Sequence, residues 1–128
     1  IGSDSILESH HNNHPRSAGC FSRVLGRYVR ERGVLSLRDA LARMTILPAR
    51  LLEAASPAMA RRGRFRVGSV ADVTIFDPDR IIDRATVADP GQESDGVVHV
   101  MVGGRLVRSG GITDRTVRPG VPILRGES

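Results

Sequence analysis

The stretch FSRVLGRYVRER, residues 21–32, decides the fold class of the first half of the chain. Its apolar side chains recur at spacings of three and four residues, and arginines and a glutamate occupy positions between them. This spacing predicts an amphipathic helix that buries one stripe of side chains. The stripe consists of Phe21, Val24, Leu25, Tyr28 and Val29.

Two further helices are expected after this one. Gly33 stands where a C-terminal cap in the left-handed region is wanted, and Ser36 with Asp39 resembles a capping box. A second helix is therefore predicted from about residue 37 to residue 45. Pro48 suits the first turn of a third, short helix, because no backbone donor is needed there. The second helix should bury Leu37, Ala40, Leu41 and Met44.

Beyond residue 56 the helical spacing changes to short β-rich runs that are punctuated by glycine and proline. Residues 73–76 and 97–102 are predicted strands. The pair Gly103-Gly104 separates the second of these from residues 105–107, and such a pair can adopt the positive φ angles of a type I′ hairpin. Turn or strand roles, without chemistry, are expected for Asp72, Asp77 and His99.

The opening residues IGSDS, residues 1–5, have the pattern of a strand end that runs into a loop. Such a position would bring the carboxylate of Asp4 to the mouth of a sheet or barrel, where (β/α)8 enzymes place their catalytic groups. On this pattern alone, a turn or helix-cap carboxylate is the competing interpretation.

The stretch HHNNHP, residues 10–15, raises the question of a metal site. His10, His11 and His14 are the candidate ligands, and His10 and His14 would share one face if the stretch were helical. The two asparagines and the proline favour a loop instead. We therefore expect a solvated loop at the active site.

Charge does not indicate a nucleic-acid-binding protein. The net charge is +5, but all 19 basic residues are arginines spread along the chain and interleaved with acids. With one Tyr, three Phe and no Trp, few side chains could stack on bases. The apolar runs are also too short to span a bilayer, and the single Cys20 cannot form an internal disulfide. We expect a cytoplasmic protein without nucleic-acid or membrane partners.

Short motifs follow one another along most of the chain. In the first half they are GSDS (2–5), HPR (14–16), RVLGRYVRE (23–31), MT (44–45) and LPA (47–49). In the second half they are GRF (63–65), AD (71–72), FDP (76–78), DRAT (83–86), DP (89–90), HV (99–100) and VGG (102–104). In this order and spacing they resemble the D-aminoacylase, or N-acyl-D-amino-acid deacylase, family of the metal-dependent amidohydrolase superfamily.

The resemblance implies a role for Asp4. In the family, the corresponding aspartate follows the eighth barrel strand, takes a proton from the attacking water, passes it to the leaving amine and can contact a second metal. Carboxylates of this kind act as general bases and acids. The resemblance also implies zinc as cofactor, bound mainly by a His-x-His pair, a cysteine and two histidines that lie upstream of Ile1.

The same resemblance implies that Arg16, together with His14, faces the α-carboxylate of the substrate. A planar guanidinium can hold a carboxylate through two parallel hydrogen bonds. A surface arginine in an ion pair is the alternative. The loop that follows departs from the family, because SAGCFS (17–22) replaces SYGTFP and thereby removes an aromatic side chain and a threonine. Cys20 is expected to be a small buried residue rather than a nucleophile.

The expected fold is an α+β segment. Residues 1–55 would form the C-terminal end of a (β/α)8 TIM-type barrel, and residues 56–128 part of a small β-sandwich, in a parent enzyme of the α/β class. The expected function is that of a C-terminal fragment of a zinc-dependent amidohydrolase acting on N-acyl-D-amino acids or related amides, inactive alone. Its partners would be the small-molecule substrate and the remainder of its own barrel, with an oligomer allowed.

Two other functions remain open. A hydantoinase-like or dihydroorotase-like amidohydrolase would share the barrel and the Ala71-Asp72 segment, but HPR (14–16) followed by RVLG (23–26) is not expected there. A non-catalytic remnant would instead bind a protein partner through unpaired strand edges.

Overall fold

A computed structural model describes residues 1–5 and 14–125 of the chain. The helical elements are α1 (Arg16–Arg23), a π-helix (Val24–Glu31), α2 (Leu37–Met44), α3 (Ile46–Leu52) and a 3₁₀ helix (Pro57–Arg61). The strands are β1 (Val73–Phe76), β2 (Val97–Val102), β3 (Arg105–Ser109) and β4 (Ile112–Thr113). The chain therefore combines helices with a small sheet, as the α+β prediction requires. No helix in the described ranges is long and apolar enough to cross a membrane.

Two compact units each combine two stretches of chain. Unit 1 contains Ile1–Ala40 and Phe76–Val97, and unit 2 contains Leu41–Ile75 and Val98–Ser128. The division predicted at residue 56 is based on the change from helical to strand-like sequence, whereas the two units are defined by contacts in the structure. It stays a prediction about the domains of a longer chain.

The helix predicted over residues 21–32 is present, but it begins earlier and changes its hydrogen bonding. Pro15 is the N-cap, and its φ of −50° suits the start of α1. The first turn that follows has no large apolar side chain, so hydrophobic spacing could not locate it. From Val24–Glu31 the helix is of the π type, and the N–H of Arg32 donates to the carbonyl of Arg27 at 3.0 Å. Apolar spacing does not distinguish this pattern from an α-helix.

The predicted helix ends are confirmed by their hydrogen bonds. Gly33 has a φ of 60°, the left-handed conformation expected after a helix. At the start of α2 the backbone N–H of Asp39 donates to Oγ of Ser36 at 3.0 Å. The hydroxyl of Ser36 in turn donates to the Asp39 carboxylate at 2.8 Å. Of the side chains that α2 was expected to bury, Ala40 is buried and Leu37 is exposed.

The sheet has the strand order β1-β2-β3-β4. Strands β2 and β3 are antiparallel and form the predicted hairpin, in which Gly103 and Gly104 have φ angles of 55° and 80°. Asp72 has the predicted turn role, because its Oδ1 accepts the N–H of Gly103 at 2.8 Å. Strand β4, which was not predicted, pairs antiparallel with β3. This single sheet does not test the β-sandwich prediction.

Residues 1–5 lie in neither a helix nor a strand. The predicted strand end is therefore not observed. A barrel strand exists only when a neighbouring strand completes its hydrogen bonds, and the described residues provide no such neighbour for this segment. The placement of Asp4 after an eighth barrel strand stays a prediction.

The core of unit 1 depends on a close approach at Gly26. This residue is buried, and a Cβ built on it would lie 2.6 Å from Cδ1 of Ile82 and would also meet the carbonyl oxygen of Ile81. Ile81 itself is 2% exposed, and Arg30 donates a hydrogen bond to its carbonyl at 2.6 Å. The π-helix can pack against residues 81–82 only because position 26 has no side chain.

We expect Gly26→Ala to lower the free energy of unfolding by about 1 to 3 kcal/mol, the usual cost of overpacking. Alanine has a better helix propensity than glycine, and this would reduce the steric cost of the substitution by up to about 1 kcal/mol. Gly91→Ala is the matched control, because its Cβ would meet nothing within 4 Å. Denaturant unfolding of both variants measures the difference. Equal stability of the two would contradict the close approach.

Candidate active site

The structure brings Asp4 and Arg16 together. Arg16 is the first residue of α1, and its Nε donates to the backbone carbonyl of Asp4 at 2.9 Å. Its Nη2 lies 3.0 Å from the carboxylate oxygen Oδ2 of Asp4. The side chain of Arg16 is 38% exposed and that of Asp4 is 85% exposed. The two residues predicted to act on the substrate therefore share one site that is open to solvent.

The backbone of Asp4 adopts a left-handed conformation with a φ of 51°. Among the non-glycine residues of ranges 1–5 and 14–125, only Asp4 has a positive φ. Aspartate tolerates this region better than most residues do. The hydrogen bond from Arg16 to its carbonyl oxygen helps to hold this conformation, and with it the direction of the carboxylate.

His14 lies next to this pair, and its ring contacts the backbone at the start of α1. The Nδ1 atom accepts the N–H of Arg16 at 3.1 Å. In a neutral ring with this contact, Nε2 carries the proton and can donate a hydrogen bond. The histidines at positions 10 and 11, predicted to lie in the same loop, fall outside the described residues.

A pocket of about 400 Å³ opens on the same face of α1. It is lined by His14, Pro15, Arg16, Gly19, Cys20, Arg23, Val24, Tyr28, Asp83 and Ala85. All these residues belong to unit 1. The thiol of Cys20 faces the carbonyl oxygen of Gly2 at 3.8 Å, and the residue is half-buried rather than fully buried. The pocket gives a small molecule access to the side of Arg16.

A second ion pair lines the pocket. Nη1 of Arg23 donates to Oδ2 of Asp83 at 2.9 Å, and the Asp83 side chain is only 11% exposed. The hydrogen bond to Asp83 and the charge of that carboxylate raise the pKa of Arg23, and Tyr28 adds to the effect. Arg23 therefore stays charged at every working pH.

Sequence reasoning did not find this second pair. Asp83 was part of a family motif without an assigned role, and Arg23 was one arginine of the helix. The two residues are separated by 60 positions. The one sequence feature that could have indicated a close contact on α1 was the glycine at position 19. A Cβ there would lie 2.8 Å from Cβ of Asp83.

The described residues do not complete a zinc site. Protein zinc sites use three or four nitrogen, sulfur or oxygen ligands. No group of three or more His, Cys, Asp or Glu side chains that could hold a metal ion occurs in ranges 1–5 and 14–125. Asp4 offers a single carboxylate, which contacts Arg16.

Comparison with known proteins places this chain in a family. The model of the amidohydrolase family matches residues 1–108. An N-acyl-D-glutamate deacylase of Alcaligenes xylosoxydans xylosoxydans is 49% identical over 107 residues, which cover 84% of this chain and 21% of the relative. An N-acyl-D-aspartate deacylase of the same organism is 39% identical over 128 residues, or 100% of this chain and 24% of the relative.

Solved structures that resemble this chain are also deacylases of this kind. The N-acyl-D-glutamate deacylase of Bordetella bronchiseptica, in complex with zinc and a phosphonate mimic of the tetrahedral intermediate, is 47% identical with a TM-score of 0.74. It is matched over 84% of this chain and 21% of its own. A D-aminoacylase described as defining a novel subset of amidohydrolases is 36% identical with a TM-score of 0.78, over 90% of this chain and 23% of its own.

The chain thus spans about a fifth to a quarter of the length of these relatives. The matched residues include Asp4, Arg16 and the whole pocket face of α1. The chain is a member of the amidohydrolase family, with N-acyl-D-amino-acid deacylases among its relatives.

Proposed function

We propose that this chain forms part of a zinc-dependent enzyme that hydrolyses N-acyl-D-amino acids. The observation that carries the proposal is the contact of Asp4 with Arg16, a residue that lines the pocket. A guanidinium, which can bind a carboxylate, lies beside a carboxylate, which can accept a proton. Family membership supplies the reaction class, the hydrolysis of an amide bond.

Arg16 would hold the α-carboxylate of the substrate. Its contacts with Asp4 use Nε and Nη2, and a guanidinium carries further N–H donors in the same plane. A substrate carboxylate can bind to these donors or take the place of the Asp4 carboxylate. Because the hydrogen bonds are directional, such binding fixes which side of the scissile amide faces Asp4. His14 would add a donor through Nε2.

Asp4 would act as the proton shuttle. As a carboxylate it accepts the proton of the attacking water, and as a carboxylic acid it donates that proton to the nitrogen of the leaving amine. The C–N bond of the amide breaks as the new C–O bond is kept, so that a free carboxylic acid and a D-amino acid are released. The Asp4 carboxylate is 85% exposed in this chain, so that water and substrate can approach it beside its contact with Arg16.

Zinc bound in such an enzyme supplies a water with a lowered pKa and a polarised carbonyl. Its ligands would come mainly from residues outside this chain, because the described residues offer too few donors. The predicted contact of Asp4 with a second metal remains part of the proposal.

The need for further protein around this chain is supported by its surface. Several large apolar side chains are strongly exposed, among them Leu51 at 82%, Phe65 at 93% and Val67 at 104%. The buried apolar residues are few among those described: Leu25, Ala40, Ala49 and Ile81. We infer that some of these side chains contact other protein, as large exposed apolar patches do. The remainder of a longer enzyme would cover it.

The full-length protein tests the proposal directly. We expect release of free amine from an N-acyl-D-amino acid, loss of that activity with a chelator, and its return with zinc, because zinc would supply the activated water for the reaction. Amine release is followed with a fluorogenic amine reagent. Hydrolysis of a cyclic amide such as a hydantoin, without the acyl amino acid, would favour the hydantoinase-like alternative. No hydrolysis of either would favour the non-catalytic remnant.

A further inference from the structure

Asp83 is the more buried residue of the Arg23–Asp83 ion pair, and it has no role in the proposed reaction. Asp83 meets α1 at two positions that are four residues apart: its carboxylate accepts from the guanidinium of Arg23 at 2.9 Å, and its side chain lies where a Cβ at Gly19 would be. Its side chain is 11% exposed, against 49% for Arg23. The buried Asp83 carboxylate therefore has little room to move, and it restrains the more exposed guanidinium of Arg23.

Gly19 lets the helix come close to Asp83. A Cβ at position 19 would lie 2.8 Å from Cβ of Asp83 and 3.7 Å from Cβ of Ala85. The hydroxyl of Ser94 also donates to the carbonyl of Ala18 at 3.4 Å. The segment around residues 83–94 thus contacts α1 along its length.

Arg16, Gly19 and Arg23 lie on one face of α1, because spacings of three and four residues bring side chains together on a helix. α1 continues without a break into the π-helix, and helices of this length take their stability mainly from packing, so tertiary contacts decide the position and rotation of α1. Contacts that hold Gly19 and Arg23 therefore also determine where Arg16 lies. A small rotation would move its guanidinium away from Asp4.

We propose that Asp83 is a positioning residue for Arg16, acting through Arg23 and the backbone of α1. The inference rests on the proposed function, since it assigns Asp83 to carboxylate recognition by Arg16. Asp83 does not touch the substrate. It holds the helix so that the substrate carboxylate meets the guanidinium at the correct angle.

The test is Asp83→Asn in the full-length enzyme, which preserves the shape of the side chain and removes its charge. We expect kcat/KM for an N-acyl-D-amino acid to fall about tenfold, because a small misplacement of a binding group costs this much or more. For the matching substrate with a neutral amide in place of the α-carboxylate, we expect a change of less than about twofold, since Arg16 contributes little there.

Asp95→Asn is the matched control. Asp95 pairs with Arg84 at 3.5 Å, both side chains are more than half exposed, and neither residue lies on α1. The variant makes the same change of charge in the same unit, and we expect both substrates to be hydrolysed as by the unaltered enzyme. Arg23→Met is the second test variant, because it removes the donor and the charge that pair with Asp83.

Equal losses of kcat/KM for the acid and the amide substrate would overturn the inference, because a general loss of folded enzyme affects both alike. No loss for either would also overturn it. If Asp83→Asn is insoluble, the ratio of the losses of kcat/KM for the acid and the amide substrate is measured with Arg23→Met, and equal losses count against the proposal. Failure of the proposed function itself is recognised separately, by an unaltered enzyme that does not hydrolyse the acyl amino acid.

Discussion

Replacing Asp4 by asparagine in the full-length enzyme is expected to lower kcat by roughly two to four orders of magnitude, the usual contribution of a general acid and base. Asparagine has the same shape but cannot accept and return the proton. KM should change little, because Asp4 is not proposed to bind the substrate carboxylate. Steady-state kinetics with saturating zinc measure both constants.

Two comparisons make this result specific. Asp89→Asn removes a carboxylate from another exposed residue, and we expect kcat to stay within about twofold of normal, as is usual for surface changes. The loss of the exposed Asp4–Arg16 pair should cost no more than about 1 kcal/mol of stability. Near-normal turnover by Asp4→Asn would refute the shuttle. Loss of bound zinc in that variant would indicate a metal ligand instead.

Replacing Arg16 by methionine is expected to lower kcat/KM for an N-acyl-D-amino acid by about ten- to a hundredfold, the value of hydrogen bonds to a charged group. Methionine is similar in length and has no charge. For the substrate whose α-carboxylate is replaced by a neutral amide, the loss should be several-fold smaller. The ratio of the two losses is the measured quantity.

This ratio distinguishes a substrate-binding arginine from a structural one. A structural Arg16 would position Asp4 only, through the contacts of 2.9 and 3.0 Å, and its loss would slow both substrates equally. Arg16→Lys should give an intermediate loss of kcat/KM for the substrate with a free carboxylate, because the charge remains but the paired donors of the planar guanidinium are lost. Arg38→Met, an exposed arginine on α2, is the control and should leave both substrates unchanged.

Local sequence patterns were sufficient for those parts of the fold that depend on neighbouring residues. The capping contacts of Ser36 with Asp39 and the left-handed Gly33 were predicted correctly, because a side chain or a φ angle at one position determines each of them. The β2–β3 hairpin at Gly103-Gly104 was predicted for the same reason.

The sequence motifs also selected Asp4, His14 and Arg16, and the structure places these three side by side. Their roles came from a resemblance to a family, and the contacts are compatible with those roles without testing them. The start of α1 at Arg16 was missed, because its first turn contains no large apolar side chain to give a periodic signal. The change from α to π hydrogen bonding could not be predicted, because the spacing of the apolar residues does not distinguish the two.

By itself, the sequence predicted most of the helices and strands and the family, and it selected Asp4, His14 and Arg16 as candidates for the chemistry. Only the tertiary structure decided which distant residues meet. The approach of Gly26 to residues 81–82 and the ion pair of Arg23 with Asp83 join positions that are far apart in the chain. Such contacts depend on how whole elements pack, since burial and charge pairing are properties of neighbours in space, which a local pattern does not specify.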